Sequence, residues 1–357
     1  MSDTAVLSST TQTLAVAHDV ALLDLDGVVY VGPDAVPGAA DHLTRARALG
    51  QRLAFVTNNA ARTPESVAAH LRELGVALDD ADVVTSAQAA ARLVADRVPS
   101  GSRVLVVGGE GLIEALAEHG LLAVHSAADA PAAVIQGFHP SVGWESLAEG
   151  SYAVAAGLPW IASNTDRSVP TARGLAPGNG MLVAAIEEAT GVSPIVAGKP
   201  EPALIEESVL RTGARRPLMV GDRLDTDISG ARRFGMPSLL VLTGVTTIRE
   251  LMHADRAERP DFVAGDLAGL ALDHPAVRRE GERCSCAGWT ASVERGRLTL
   301  HRDHPPADQS STQVGLAALR ACVSAAWWAS DARGDTPAVE LDISQVDDRL
   351  REMISAQ

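Results

Sequence analysis

Val20-Ala21-Leu22-Leu23-Asp24-Leu25-Asp26-Gly27 opens on four apolar residues and then carries two carboxylates two positions apart. An unbroken apolar run this short, ending at a turn signal, reads as a strand buried on both faces. Two carboxylates at its end are electrostatically costly unless a cation sits between them. Three more polar segments follow the same rule of address, each just past an apolar run: Thr57-Asn58-Asn59, Gly198-Lys199-Pro200, and Gly221-Asp222-Arg223-Leu224-Asp225-Thr226-Asp227. In an open parallel sheet the strand C-termini share one edge, and ligands bind in the crevice there. The four segments are therefore expected to meet.

The surrounding pattern supports such a sheet. Short apolar runs alternate with amphipathic stretches, which predicts an α/β protein with a Rossmann-like, largely parallel sheet. Strands are expected at 19–23, 52–56 and 83–84, with helices at 37–49 and from Thr63-Pro64-Glu65 to Gly75. Thr63 with Pro64 is a helix start, since Pro fits the first turn. The block 84–190 repeats the alternation by itself: strands at 103–107, 132–136 and 160–162, helices at 110–119, 144–156 and 179–190, and a long polar loop at 163–178. The first style then resumes, with helices at 202–211 and 225–234 and strands at 218–220 and 238–242. Residues 18–83 and 191–274 thus read as one catalytic core, split by an inserted α/β domain at 84–190. Residues 277–357 read as a small α+β extension: a hairpin of 284–293 and 297–301 about Glu294-Arg295-Gly296, a helix at 313–329, a strand at 338–343 and a helix at 345–354.

Composition narrows the function. Acidic residues outnumber basic ones 45 to 30, a net charge of −15, so neither nucleic acid nor an anionic membrane is an expected partner. No apolar run approaches the ~20 residues that span a bilayer, and the first seventeen residues lack the basic and apolar regions of a signal peptide. Three cysteines, Cys284, Cys286 and Cys322, make a poor disulfide framework and read as free thiols in a reducing compartment. A cytoplasmic location follows as the expectation. Positive charge is carried by 29 Arg and one Lys, Lys199. A lone lysine among arginines suggests a position where a compact ammonium works and a wide guanidinium does not.

Each candidate has a chemistry suited to phosphate. With a magnesium ion present, Asp24 stays ionised and can attack phosphorus, giving an aspartyl-phosphate. Asp26 can protonate the leaving oxygen and then activate water. The Thr57 hydroxyl and the N–H groups of Asn58 and Asn59 can hold phosphate oxygens, although Thr-Asn-Asn is also an ordinary turn or cap. Lys199, between Gly198 and Pro200, can neutralise the transferring group. Asp222 is a second magnesium candidate. Asp227 can brace the site, while both Asp225 and Asp227 also suit a helix N-terminus.

In order and type, Asp-Leu-Asp-Gly-Val-Val-Tyr, Thr-Asn-Asn, Gly-Lys-Pro-Glu-Pro and Gly-Asp-Arg-Leu-Asp-Thr-Asp-Ile resemble the four motifs of the haloacid dehalogenase-like phosphatase superfamily over about 18–273. They look like the subfamily that contains nitrophenyl-phosphate, phosphoglycolate, pyridoxal-phosphate and glycerol-3-phosphate phosphatases. The resemblance implies that Asp24 is the nucleophile and Asp26 the acid/base. It also implies that Asp24, Asp222 and the main-chain carbonyl of Asp26 bind Mg²⁺. It makes 84–190 a cap, the position such an insertion takes in that family. The expected reaction is hydrolysis of a small phosphorylated metabolite, glycerol 3-phosphate first, with phosphoglycolate or a sugar phosphate behind it. From the cap loop, Asn164, Asp166 and Arg167 are the candidates to face substrate, with His139 and Gly108-Gly109 after them. A phosphometabolite sensor signalling through 277–357 is the competing class, and an intact Asp26 argues against it. Packing or dimerisation is expected of 277–357, and a homodimer through it or the cap is one expected assembly.

Overall fold

The computed structural model describes residues 6–171, 173–303 and 311–333, together with 342, 343, 346 and 350. The chain divides into two compact units: one of residues up to 31, 35–53 and from 215 onward, the other of 32–34 and 54–214.

In the first unit the opening stretch is a strand, Val20–Leu23, with all four residues buried. It pairs in parallel with Pro217–Gly221, which pairs in parallel with Ser238–Val241 and that in turn with Phe262–Ala264. The Asp24 N–H donates to the Val220 carbonyl at 2.8 Å, so the ladder runs right up to the first carboxylate. The helix expected at 225–234 is two structures. A wide π-helical turn spans Leu224–Ile228, and a regular helix follows at Ser229–Phe234. In that turn the Asp227 carboxylate reaches back to the Arg223 N–H at 3.2 Å. Such wide turns recur at functional sites because they re-aim a side chain that a regular helix would point elsewhere.

The C-terminal extension packs within this same unit. Residues 284–293 do not form one strand. Ala287 and Gly288 both have positive φ, 42° and 84°, and turn the chain between Arg283–Cys286 and Trp289–Glu294. A two-residue loop with both φ positive matches the twist of paired strands. The expected turn at Arg295-Gly296 has the same signature, φ 51° and 80°, and leads into Arg297–Arg302. Arg278–Glu280 completes a four-stranded antiparallel sheet. The helix Ser311–Arg333 covers it, longer at both ends than the expected 313–329. Its Trp327 indole donates to the Leu251 carbonyl at 2.8 Å, and Arg259 bonds Asp331 at 2.9 Å. Leu224, Ile228, Leu240 and Leu251 thereby share one apolar core with Cys284, Trp289, Leu319 and Trp327. The strand expected at 338–343 and the helix at 345–354 lie largely outside the described residues. Among the described residues no helix is long and apolar enough to cross a membrane.

His274 gives this unit a pH signature. It is fully buried, meets Phe262 edge-on and bonds the Gly269 carbonyl at 2.8 Å. Burial lowers its pKa to about 4. The folded protein therefore binds fewer protons than the unfolded chain between pH 6.5 and 4. Stability contributed by neutral His274 is present above the unfolded pKa and is lost as pH falls through that window, about 3 kcal/mol in all. His274→Gln is expected to give a shallower fall of the unfolding midpoint between pH 6.5 and 4 than the wild type. Parallel curves for the two proteins would show that His274 does not carry the effect.

In the second unit, residues 55–57 at the end of the strand Arg52–Thr57 pair in parallel with Val83–Thr85. The helix Pro64–Glu73 starts as its signals require, with the Thr63 hydroxyl accepting from the Ser66 N–H at 3.3 Å. A helix at Ser86–Ala95, absent from the expected elements, begins on a reciprocal cap between Thr85 and Gln88. That Thr-x-x-Gln signature directly follows the expected strand 83–84. A five-stranded parallel sheet follows, ordered Ile195–Val196, Trp160–Ala162, Ala133–Gln136, Arg103–Val107, Leu122–Val124. The expected loop 163–178 contains a hairpin, Ser168–Thr171 with Gly174–Pro177. The helix Ala203–Thr212 is tied to Ser86–Ala95 by Glu207, whose carboxylate is buried between Arg92 and Arg211.

Candidate active site

Asp24, Asp222 and Asp227 each present a carboxylate oxygen, and the three oxygens lie within 4.8 Å of one another. The fold brings them together because Asp24 and Asp222 follow the ends of adjacent parallel strands, while the π-helical turn swings Asp227 inward. Asp222 and Asp227 are buried and Asp24 partly so. Asp227, expected only as a brace, thus stands beside the two candidate ligands.

Asp222 is held by a loop that sequence reasoning missed. The Val245 N–H donates to its carboxylate at 2.6 Å, and the Thr246 N–H donates to its main-chain carbonyl at 3.2 Å. Thr243 donates its hydroxyl to the Gly27 carbonyl at 2.5 Å and joins this loop to the first motif. The only signal was a Thr-Gly pair following a buried strand. Glycine is required where these segments meet. Gly27 has φ +80°, and a Cβ there would fall 2.4 Å from the Asp222 carboxylate. A Cβ on Gly244 would fall 2.0 Å from the same oxygen.

Three carboxylates in one spot repel one another unless a cation binds among them. The donor set is all oxygen, the preference of a hard divalent ion such as Mg²⁺, and the glycine cradle leaves the Asp222 carboxylate no room to turn aside. The residues present therefore fit that ion. Gly244→Ala is expected to displace the Asp222 carboxylate and weaken Mg²⁺ binding by about 10–100-fold, the usual effect of disturbing a ligand's support. Titration calorimetry reads this directly; unchanged affinity would mean that Asp222 is not a ligand. Asp26 lies two residues beyond Asp24 and is exposed, with a backbone bridge to Tyr30.

The second unit holds the remaining candidates. Thr57 is buried and its hydroxyl accepts the Asn59 N–H at 3.1 Å, so that N–H is already used locally. The exposed Asn59 side chain accepts the Ala61 N–H at 2.9 Å. Lys199 is buried at 3% exposure, and its ammonium donates to the Val56 carbonyl at 3.3 Å. Asn58 bonds both the N–H and the carbonyl of Lys199. Asn164 is also buried. Its amide donates to the Asn58 carbonyl at 2.7 Å and its oxygen accepts the Asp166 N–H at 3.1 Å. Asp166 accepts from Asn58 at 3.3 Å. Asn164 and Asp166 therefore join this cluster, whereas Arg167 is exposed. His139 bonds the Ser141 hydroxyl at 2.6 Å.

A parallel α/β sheet with a carboxylate trio beyond its strand ends suits metal-assisted phosphoryl chemistry. The family model for haloacid dehalogenase-like hydrolases matches residues 21–122, and a second, HAD-hydrolase-like model matches 196–270. The chain is 44% identical over 340 residues to the D-glycerol 3-phosphate phosphatase of Mycobacterium tuberculosis, covering 95% of this chain and 94% of that one. It is 37% identical to an acid sugar phosphatase of Staphylococcus aureus, over 65% of this chain and 89% of the relative. The crystal structure of the Mycobacterium tuberculosis glycerol phosphate phosphatase in complex with magnesium superposes with a TM-score of 0.82. It is 41% identical, and the match covers 98% of this chain and all of that one (100%). The chain belongs to the haloacid dehalogenase-like hydrolases.

Proposed function

We propose that this protein is a magnesium-dependent phosphatase that hydrolyses a small phosphate monoester through a phosphoryl group carried on Asp24. The observation that carries the reading is the convergence of Asp24, Asp222 and Asp227 within 4.8 Å, with Asp26 exposed two residues along. Asp24, Asp222 and Asp227, with the main-chain carbonyl of Asp26, would hold the ion. When bound, Mg²⁺ neutralises charge between the nucleophile and the phosphate. A carboxylate oxygen of Asp24 bonds to phosphorus as the ester oxygen leaves, and Asp26 gives that oxygen its proton. Asp26 then takes a proton from the water that cleaves the aspartyl-phosphate. Thr57, with the N–H of Asn58, binds phosphate oxygens, and Lys199 offsets their charge. Residues 84–190 are assigned as the cap, and exposed Arg167 is its candidate to contact the alcohol portion of the ester.

Glycerol 3-phosphate is the proposed substrate, supported by the identity to the Mycobacterium tuberculosis enzyme over nearly the whole chain. The decisive experiment measures phosphate release with Mg²⁺ from glycerol 3-phosphate, phosphoglycolate and several sugar phosphates. Glycerol 3-phosphate is expected to show the highest kcat/KM. A different winner replaces the substrate, and no Mg²⁺-dependent release from any of them removes the enzyme. A cytoplasmic location belongs to the same proposal, supported by three buried cysteines that carry no disulfide. So does a homodimer through the cap, supported by Trp144 and Leu175, which are 77% and 80% exposed.

A further inference from the structure

We propose that the Asn58 side chain is a positioning residue: it clamps the backbone of Lys199 and thereby sets the ammonium against the phosphate loop. This rests on the role given to Lys199 above. Asn58 Oδ1 accepts the Lys199 N–H at 2.8 Å, and Asn58 Nδ2 donates to the Lys199 carbonyl at 3.0 Å. A primary amide places an acceptor and a donor side by side, the complement of one residue's own N–H and C=O. Among side chains of this length only asparagine offers both; aspartate lacks the donor and leucine lacks both. The second Nδ2 donor faces the Asp166 carboxylate, at 3.4 and 3.3 Å. The amide is thus occupied within the protein, and the side chain does not serve as a ligand for substrate.

Asn58 is itself pinned. Its main-chain carbonyl accepts the Ser86 hydroxyl at 2.6 Å and the Asn164 amide at 2.7 Å. The approach of the two loops depends on Gly198, where a Cβ would come 2.7 Å from Asn58 Oδ1 and 2.6 Å from the Ser163 carbonyl. At the far end of the lysine, Nζ bonds the Val56 carbonyl at 3.3 Å. Backbone and ammonium of Lys199 are therefore both referenced to residues 56–58, the loop that carries the Thr57 hydroxyl. One short segment fixes the distance between the two groups that would hold the phosphoryl oxygens, and Asp166 ties it to the 163–166 loop.

The test is a double-mutant cycle on the full-length enzyme, with Asn58→Ala, Lys199→Met and both together. It reads kcat and KM with Mg²⁺, and inorganic phosphate affinity by calorimetry for variants too slow to assay. Asn58→Ala is expected to lower kcat about 30- to 100-fold, as a ~1 Å misplacement does, with a small change in KM. In the Lys199→Met background the same substitution is expected to change kcat or phosphate affinity less than two-fold, because the group it positions is gone. Full additivity, or wild-type kcat in Asn58→Ala, would overturn the clamp. If Asn58→Ala fails to fold, Asn58→Asp replaces it in the cycle; it keeps the acceptor and loses the donors, and the same non-additivity is required. If Lys199→Met alone leaves turnover and phosphate affinity unchanged, the role assigned to Lys199 fails instead, and that result is distinct from failure of the clamp.

Discussion

Asp24→Asn is expected to abolish phosphate release, by on the order of 10⁴-fold or more, while leaving a folded protein. An amide is nearly the same size as a carboxylate, so the strand end and the Asp24 N–H bond to Val220 persist. What disappears is the nucleophile, because an amide oxygen is too weak a base to attack phosphorus. The uncatalysed reaction is among the slowest known, and a barrier reduction on the order of 20 kcal/mol leaves little residual rate once covalent catalysis is lost. Stability moves the other way from activity. Three carboxylates crowd within 4.8 Å, so removing one charge relieves repulsion in the metal-free protein. The unfolding temperature without Mg²⁺ is expected to hold or rise, and its increase on adding Mg²⁺ is expected to shrink. Phosphate release and thermal unfolding, each with and without Mg²⁺, check both statements. Turnover within ten-fold of wild type in Asp24→Asn would remove Asp24 as the nucleophile.

Lys199→Arg is expected to lower kcat/KM by more than ten-fold, although it keeps the charge. The chain uses arginine at 29 of its 30 basic positions, so arginine is the residue this protein otherwise selects for positive charge. Lys199 is 3% exposed, its main chain is held at both polar atoms by Asn58, and its ammonium lies 3.3 Å from the Val56 carbonyl. A planar guanidinium is wider and presents its donors in a fixed fork. With the side chain buried and the backbone clamped, the wider group must displace its neighbours, and overpacking costs typically ~1–3 kcal/mol. The ammonium instead offers three donors that rotate to suit a transferring group. Steady-state kinetics with the preferred ester decide the matter. Wild-type kcat/KM in Lys199→Arg would make the single lysine an accident of composition.

Why some features were legible in the chain and others were not has a physical basis. The strand Val20–Leu23 and its carboxylate end were readable because two-sided burial leaves an uninterrupted apolar run, which is a local property. The turn at Arg295-Gly296 was readable from its glycine and the flanking strand pattern, but Ala287-Gly288 was not, since alanine seldom adopts positive φ. Asp227 is legible in the chain only as a brace or as helix N-terminal charge, because no sequence signal separates a π-helical turn from the first turn of a regular helix. The Thr243–Thr246 loop went unread as part of the site. It acts through the Val245 and Thr246 N–H groups, the Thr243 hydroxyl and the bare Cα of Gly244, and nothing local in a Thr-Gly pair says which distant carboxylate it will meet.

The sequence by itself determined which groups are available: the paired aspartates after a buried strand, one lysine among arginines, and a parallel α/β alternation that sends strand ends to a common edge. Those follow from local hydrophobicity and charge, which each segment carries alone. Only the tertiary structure decided that three carboxylates share one small volume, that Gly27 and Gly244 press against one of them, and that the Asn58 amide is spent on Lys199. These are contacts between residues far apart in the chain, set by how the packed segments meet, and no single segment encodes them.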